Sequence, residues 1–159
     1  MTRLVMFVGL AMLCSATLTV AQQPASGHVL VSPLGIKWGP PPAGLPPGAE
    51  AAVLAGDPAT PGELFTIRLK LPAGYKVPPH WHPGDESVTV VSGQLMVGMG
   101  DTFDAAKMHP LPAGSFAKMP KEMRHYAQAK GATVIQVHGI GPFGITYVNA
   151  ADDPRPKTN

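Results

Sequence analysis

The sequence contains little cysteine and few charged residues. Of its 159 residues only Cys14 is a cysteine, and charged residues make up 14%. Cys14 lies in an N-terminal segment that we expect to be removed, so the mature chain would have no disulfide and no cysteine nucleophile. The net charge is +2, and no stripe of Lys and Arg interleaved with aromatic residues is present. This balance argues against a nucleic-acid partner.

The sequence also lacks a long helical pattern and an internal repeat. Its 18 glycines and 19 prolines are residues that favour turns. No Ser-His-Asp arrangement and no phosphate-binding glycine-rich loop is present, and Gly98-Met99-Gly100 lacks the third glycine and the helix of a nucleotide-binding fingerprint. Short strands between Gly/Pro turns are typical of an all-β sandwich or barrel. The length allows one domain.

The N-terminus has the three parts of a secretory signal. Arg3 supplies a positive start, Leu4–Leu13 is uncharged and apolar, and small residues precede a cleavage position after Ala21. The alternatives are a membrane helix or a buried strand, but the apolar run is shorter than the roughly 20 residues that a membrane span requires. We therefore expect a Sec-type signal peptide over residues 1–21, a periplasmic or secreted mature protein, and no stable membrane anchor after cleavage.

The segment that follows is rich in proline and glycine. Residues 39–48 read Gly-Pro-Pro-Pro-Ala-Gly-Leu-Pro-Pro-Gly, which excludes a helix or a central strand. We interpret residues 22–48 as an N-terminal arm that wraps onto a β-barrel formed by residues 49–150, with Trp38 as its anchor. The alternative is a flexible spacer. Residues 151–159 are expected to form a frayed C-terminal tail.

Alternation of apolar and polar residues predicts the strands. Between residues 64 and 71 every second residue is apolar on one face, and the opposite face carries Thr66, Arg68 and Lys70, a pattern typical of a half-buried strand. Residues 101–110 are interpreted as a polar loop. Further strands are predicted at 49–54, 87–91, 95–99, 116–119, 125–128, 133–138 and 145–148.

The most informative segment begins at His80 and reads His-Trp-His-Pro-Gly-Asp-Glu. In a strand His80 and His82 lie on the same side. A straight strand would carry Glu86 roughly 20 Å from His80, but the intervening Pro83-Gly84 pair favours a turn that can fold it back. His125 lies on a later predicted strand. Three imidazoles and a carboxylate suit a divalent transition metal, whereas each histidine taken alone would be interpreted as a surface or core residue.

These residues resemble the two motifs of the cupin superfamily. The first motif is matched at every position, by Gly74, His80, His82, Glu86 and Gly93. The second is matched at Gly114, Pro120 and His125, but Glu122 stands where the family usually has glycine and Ala129 where it often has asparagine. The resemblance covers about residues 62–140. It implies an all-β, single-domain cupin (a double-stranded β-helix or jelly-roll barrel) with metal ligands His80, His82, Glu86 and His125.

Several other side chains are candidates for roles near the metal. Gln136 and His138 lie on one side of their predicted strand and are interpreted as hydrogen-bond partners or a general acid and base; the alternative is an exposed polar face. Met96, Met99, Met119 and Met123 either fill the core or line the pocket.

Two functions follow from these residues. The first is a metal-dependent enzyme acting on a small oxygen-bearing substrate, of oxygenase or lyase/isomerase type. The alternative is a non-catalytic, small-ligand-binding cupin with a structural metal; a sensor is disfavoured because no partner domain or helical adaptor is present. We expect one divalent transition metal per chain, with Mn or Fe favoured for activity and Zn, Ni or Cu possible.

A homodimer is also expected. Cupins commonly pair, and Trp38 and Trp81 would form an unusual apolar patch if both were exposed on a monomer.

Overall fold

The structure is a computed structural model that describes residues 27–157. Within this range the chain forms ten strands and three single turns of 3-10 helix, which confirms the predicted all-β class. The strands are β1 Glu50–Ala55, β2 Leu64–Leu71, β3 Lys76–Trp81, β4 Glu86–Ser92, β5 Gln94–Met99, β6 His109–Pro112, β7 Phe116–Met119, β8 His125–Ala129, β9 Thr133–Ile140 and β10 Thr146–Tyr147. The 3-10 turns are Pro33–Gly35, Ala105–Lys107 and Ala150–Asp152.

The strands form two antiparallel sheets of five strands each, as in a jelly roll. One sheet has the order β1-β2-β9-β4-β7 and the other β10-β3-β8-β5-β6. Strand β2 shows why the sheets face each other: Phe65, Ile67 and Leu69 are buried, whereas the residues between them are partly exposed. Apolar side chains on the inner faces of both sheets form one core, so burial of these faces stabilises the barrel.

The loop predicted at residues 101–110 is partly wrong. The structure places strand β6, His109–Pro112, at its end, paired with β5 at the edge of the second sheet. Pro110 and Pro112 made this segment resemble a loop, but an edge strand has a free side on which a missing N–H group costs little. His109 is exposed there.

Part of the N-terminal arm is attached to the barrel. Gly39 and Ala51 exchange two backbone hydrogen bonds of 2.9 Å, and the Tyr147 hydroxyl donates to the Gly44 carbonyl at 2.8 Å. The Lys70 ammonium lies 4.1 Å from the centre of the Trp38 ring, a distance typical of a cation–π contact. The described part of the arm therefore contacts the barrel through Trp38, Gly39 and Gly44.

The predicted signal peptide, residues 1–21, and its Cys14 lie outside the described residues. Between residues 27 and 157 there is no helix whose length and apolar character would let it cross a membrane.

Candidate metal centre

Both sheets contribute to one cluster of three imidazoles and a carboxylate. His80 lies near the end of β3 and His125 begins β8, and the two residues pair across these strands in the second sheet. His82 follows β3, and Glu86 begins β4 in the first sheet. The Pro83-Gly84 turn therefore carries the chain from one sheet to the other and brings Glu86 to face the histidines, as the turn residues indicated.

A β-bulge in β3 directs His80 inward. Val77 pairs with Ala127 and His80 with His125, so the register shifts by one residue between them. Without this shift, two residues three positions apart would lie on opposite faces; instead Val77 and His80 both line the interior cavity. Bulges re-aim side chains in this way. The two intervening residues are prolines, which suit a bulge because they do not donate to the ladder.

The four side chains are buried and close together. One ring nitrogen from each of His80, His82 and His125 lies within 4.8 Å of the others. Glu86 Oε2 lies 3.2 Å from His125 Nε2 and 3.6 Å from His82 Nε2. All four residues have less than a tenth of their surface exposed, so their charges are poorly screened by water.

Backbone carbonyls orient each of the three imidazoles. In every case the Nδ1 atom is the nitrogen that contacts the carbonyl. The acceptors are the Pro78 carbonyl for His80 at 2.7 Å, the Gly144 carbonyl for His82 at 2.7 Å and the Met123 carbonyl for His125 at 2.9 Å. A carbonyl only accepts, so Nδ1 carries the hydrogen and Nε2 of the neutral ring keeps its lone pair. Metal-binding histidines commonly have this arrangement.

Burial favours the protonation states that bind metals. Burial lowers the pKa of His80 to about 3, and the charges of the neighbouring histidines add to this effect. Burial also lowers the pKa of His82. For Glu86 burial acts to raise the pKa, but contacts with His125 and His82 outweigh it and hold the pKa below its usual value. Neutral imidazoles and an ionised carboxylate are the forms that coordinate a metal.

The cluster leaves lone pairs that only a cation or a proton can satisfy. Among the described residues, His82 Nε2 is buried without a hydrogen-bond partner, a situation that costs about 1–3 kcal/mol. His125 Nε2 lies 3.2 Å from Glu86 Oε2, and a carboxylate oxygen only accepts, so this contact requires a proton on the ring or a cation between the two atoms. A metal ion bound here would satisfy His82 Nε2 and take the place of that proton, so the three histidines fit a metal site.

The imidazoles open onto an apolar cavity of about 380 Å³, a size typical of small-molecule sites. Its walls come from both sheets and include Ile67, Leu69, Val88, Val97, Ile135 and Val137. Of the four methionines considered from the sequence, Met119 lines the cavity and the other three do not. Over the described part of the chain, Glu86 and Arg155 are the charged side chains on the walls, apart from any protonated histidine.

Gln136 and His138 do not face the three imidazoles and Glu86, so their interpretation as an acid/base pair beside the metal is wrong. On β9 the cavity is lined by Ile135 and Val137, so alternate residues Gln136 and His138 lie on the outer face. There the Gln136 Oε1 atom accepts a hydrogen bond of 3.1 Å from Arg68 Nε. The polar outer face considered as the alternative is what the structure shows.

Three features of the site were missed in the sequence. Phe143 stacks on His82 with 4.5 Å between ring centres and an interplanar angle of 15°. The neighbouring Gly144 supplies the carbonyl that orients His82, and Arg155 reaches the cavity wall from the C-terminal tail. Phe143 and Gly144 belong to a Gly-Pro-Phe-Gly segment, which in the sequence indicates only a break between strands. Its local spacing carries no information on contacts with His82, which lies 62 positions before Gly144.

Comparison with known proteins agrees with this fold. A family model described as "Cupin domain" matches residues 67–138, whereas no curated protein matches the sequence. Among solved structures, the polyketide cyclase RemF from Streptomyces resistomycificus has a TM-score of 0.65 at 14% identity, over 80% of this chain and 90% of that one. A putative acetylacetone dioxygenase from Methylibium petroleiphilum has a TM-score of 0.60 at 20% identity, over 82% of this chain and 87% of that one. KdgF from Halomonas sp. has a TM-score of 0.55 at 20% identity, over 72% of this chain and 96% of that one. These identities indicate a shared fold and not a shared reaction.

Proposed function

The chain belongs to the cupin superfamily, and we propose that it is a metal-dependent enzyme acting on a small oxygen-bearing molecule. The reaction would be of oxygenase or lyase/isomerase type, and the enzyme would act after export to the periplasm or the medium. The proposal rests mainly on one observation: three imidazoles with fixed tautomers present Nε2 lone pairs to one point beside a buried carboxylate.

The four ligands of the proposed site are His80, His82, Glu86 and His125. Four protein ligands leave two positions of an octahedral ion free. When bound, the metal would supply Lewis-acid chemistry or a site for dioxygen. The set contains no thiolate, so it accepts Mn and Fe(II), which we propose as the active metals, as well as Zn, Ni and Cu.

The cavity favours a catalytic role for the metal over a purely structural one. A structural site is usually closed by protein ligands, whereas a catalytic site keeps a position open for another molecule. Here the histidines form part of the wall of a cavity that can hold a small molecule. The apolar walls would orient the hydrocarbon part of a substrate and exclude water from its reacting end.

A non-catalytic binding protein is the second candidate, and one observation favours it. Beyond the metal cluster, the cavity walls within residues 27–157 carry no carboxylate and no further histidine to move a proton. A catalytic reaction would therefore depend on Glu86, on the metal or on the substrate itself for proton transfer. A protein that only holds a ligand on the metal would have no need of a separate acid or base.

Metal analysis and turnover measurements separate these functions. We expect about one metal per chain in protein purified from its own compartment, and loss of most of it in His82→Ala and His125→Gln. His109→Gln is the matched control, because it removes an exposed imidazole from edge strand β6. Full occupancy in His82→Ala would exclude the proposed ligand set.

The second measurement uses metal-free protein reloaded with Mn or Fe(II). Oxygen uptake and product formation are followed against a panel of small acids and of ketones with vicinal oxygens. Metal-dependent turnover of any member supports the enzyme. Tight, metal-dependent binding without turnover across the panel would support the non-catalytic alternative.

A further inference from the structure

One cation lies at the rim of the apolar cavity. Arg155 is the Lys or Arg side chain that contributes to its walls within residues 27–157. Its side chain is 43% exposed, compared with 7% for His82 and 3% for His125. The cavity therefore has two polar regions, a buried one at the metal cluster and an accessible one at Arg155, with hydrocarbon walls otherwise.

Two of the three guanidinium nitrogens of Arg155 are hydrogen-bonded, which holds the group in place. Nε donates to Asp153 Oδ1 at 2.8 Å, and Nη2 donates to Asp153 Oδ2 at 2.6 Å and to the Ile145 carbonyl at 3.0 Å. Nη1 makes no hydrogen bond to any described residue. It lies beside Gly44, where an added Cβ would be 3.8 Å from it, and both Gly44 and Ile145 line the cavity.

We propose that Arg155 binds the carboxylate of an amphipathic acid whose hydrocarbon body occupies the cavity. Between the histidines and Arg155 the walls are mainly hydrocarbon and offer a sugar or another polar body few hydrogen-bond partners, and unpaired polar groups are costly to bury. An arginine N–H group forms strong, charge-assisted hydrogen bonds with carboxylates. Asp153 already offsets part of the positive charge, so a monoanion suits this position better than a dianionic phosphate. The placement of the other, reacting end of this acid at the three histidines and Glu86 rests on the proposed function. The binding of its carboxylate by Arg155 does not.

A purely structural role for Arg155 makes a different prediction. Arg155 holds the Ile145 carbonyl, and the preceding Gly144 carbonyl orients His82. If Arg155 only supported this loop, then removing Arg155 or removing its partner Asp153 would weaken ligand binding alike. If Arg155 binds the anion, the two changes act in opposite directions, because Asp153→Asn removes a negative charge that competes with the ligand.

The test compares octanoate with octanamide, which match in length and differ in charge. Binding to zinc-loaded protein is measured by calorimetry. We expect the wild type to prefer octanoate by about tenfold, Arg155→Gln to lose this preference, and Asp153→Asn to bind octanoate about threefold more tightly. Arg155→Lys, which keeps the charge, should retain part of the preference and serves if Arg155→Gln does not fold. Lys107→Gln is the matched control, because Lys107 is an exposed cation paired with Asp104 and lies outside the cavity; its affinity should be unchanged.

A cobalt(II)-loaded sample locates the carboxylate. The visible spectrum of the cobalt should stay the same when octanoate binds at Arg155, and should change if the carboxylate becomes a metal ligand. Any one of four results would overturn the proposal. The first two are equal affinity for octanoate and octanamide, and a preference for octanoate that survives in Arg155→Gln. The other two are weaker octanoate binding in both Arg155→Gln and Asp153→Asn, and a cobalt spectrum that octanoate changes and octanamide does not. Protein that fails to bind metal can still be titrated with both probes, so failure of the metal site is distinguishable from failure at Arg155.

Discussion

Replacement of Glu122 by glycine should stabilise the protein. Glu122 is the one non-glycine residue between positions 27 and 157 with a positive φ, at 62°. It lies in the turn that precedes His125, and its N–H group donates to the His82 carbonyl at 2.8 Å. An L-residue in this left-handed conformation costs about 1–2 kcal/mol, which glycine avoids. The backbone hydrogen bond to His82 remains in Glu122→Gly.

Two opposing effects reduce the expected gain. Glycine makes the unfolded chain more flexible, which costs about 0.4–1 kcal/mol. Glu122 also pairs with Lys121 at 3.7 Å, but both side chains are more than 60% exposed, and such surface pairs contribute roughly 0–1 kcal/mol. We therefore expect a net increase of about 0.5 kcal/mol in the free energy of unfolding. With a slope of about 1–3 kcal/mol per M for a small protein, the urea midpoint should rise by roughly 0.3 M.

Lys121→Gly is the matched control. It removes the same ion pair and adds the same flexibility to the unfolded chain, but it relieves no positive φ, so it should destabilise by about 0.5–1 kcal/mol. Urea unfolding of both variants at fixed metal concentration measures the difference, which should be about 1–2 kcal/mol in favour of Glu122→Gly. Equal destabilisation by the two substitutions would refute the assignment of backbone strain to Glu122. Metal affinity should be the same in both variants.

Three further predictions concern the metal, the core and the outer face. Chelation should lower the melting temperature, since metal at a thousandfold excess over its dissociation constant stabilises the fold by about 4 kcal/mol; an unchanged melting temperature after confirmed removal would contradict this. Gly98→Ala should lower the free energy of unfolding by about 1–3 kcal/mol or more, because its Cβ would overlap the buried Tyr126 ring. Gly131→Ala is the control: an added Cβ there has no atom within 4 Å, so this variant should unfold at a urea concentration similar to that of the wild type. Gln136→Ala and His138→Ala should retain full metal content by elemental analysis, because both side chains lie on the outer face of β9; loss of metal would instead support a role as hydrogen-bond partners of the metal ligands.

Predictions from local pattern succeeded where one strand or one turn determined the outcome. The alternation in residues 64–71 indicated both the strand and its buried face, because side chains in a strand alternate. Strand β6 was missed because Pro110 was interpreted without its position at a sheet edge. Gln136 and His138 were interpreted either as neighbours of the metal or as an exposed polar face, and the structure shows the second, because the alternate residues Ile135 and Val137 line the interior. That signal was present in the sequence, since only one of two alternating faces can line an apolar cavity.

Local patterns in the chain predict three features: the all-β class, the imidazole and carboxylate groups of the candidate site, and the turn that returns Glu86 toward the histidines. Alternation, residue chemistry and Pro-Gly turns act over a few residues. The other features depend on tertiary contacts. The bulge that turns His80 inward depends on pairing with β8. The stacking of Phe143 on His82 and the position of Arg155 at the rim depend on contacts between distant segments. Such contacts form only when the two sheets and the C-terminal tail pack together, and no local spacing records them.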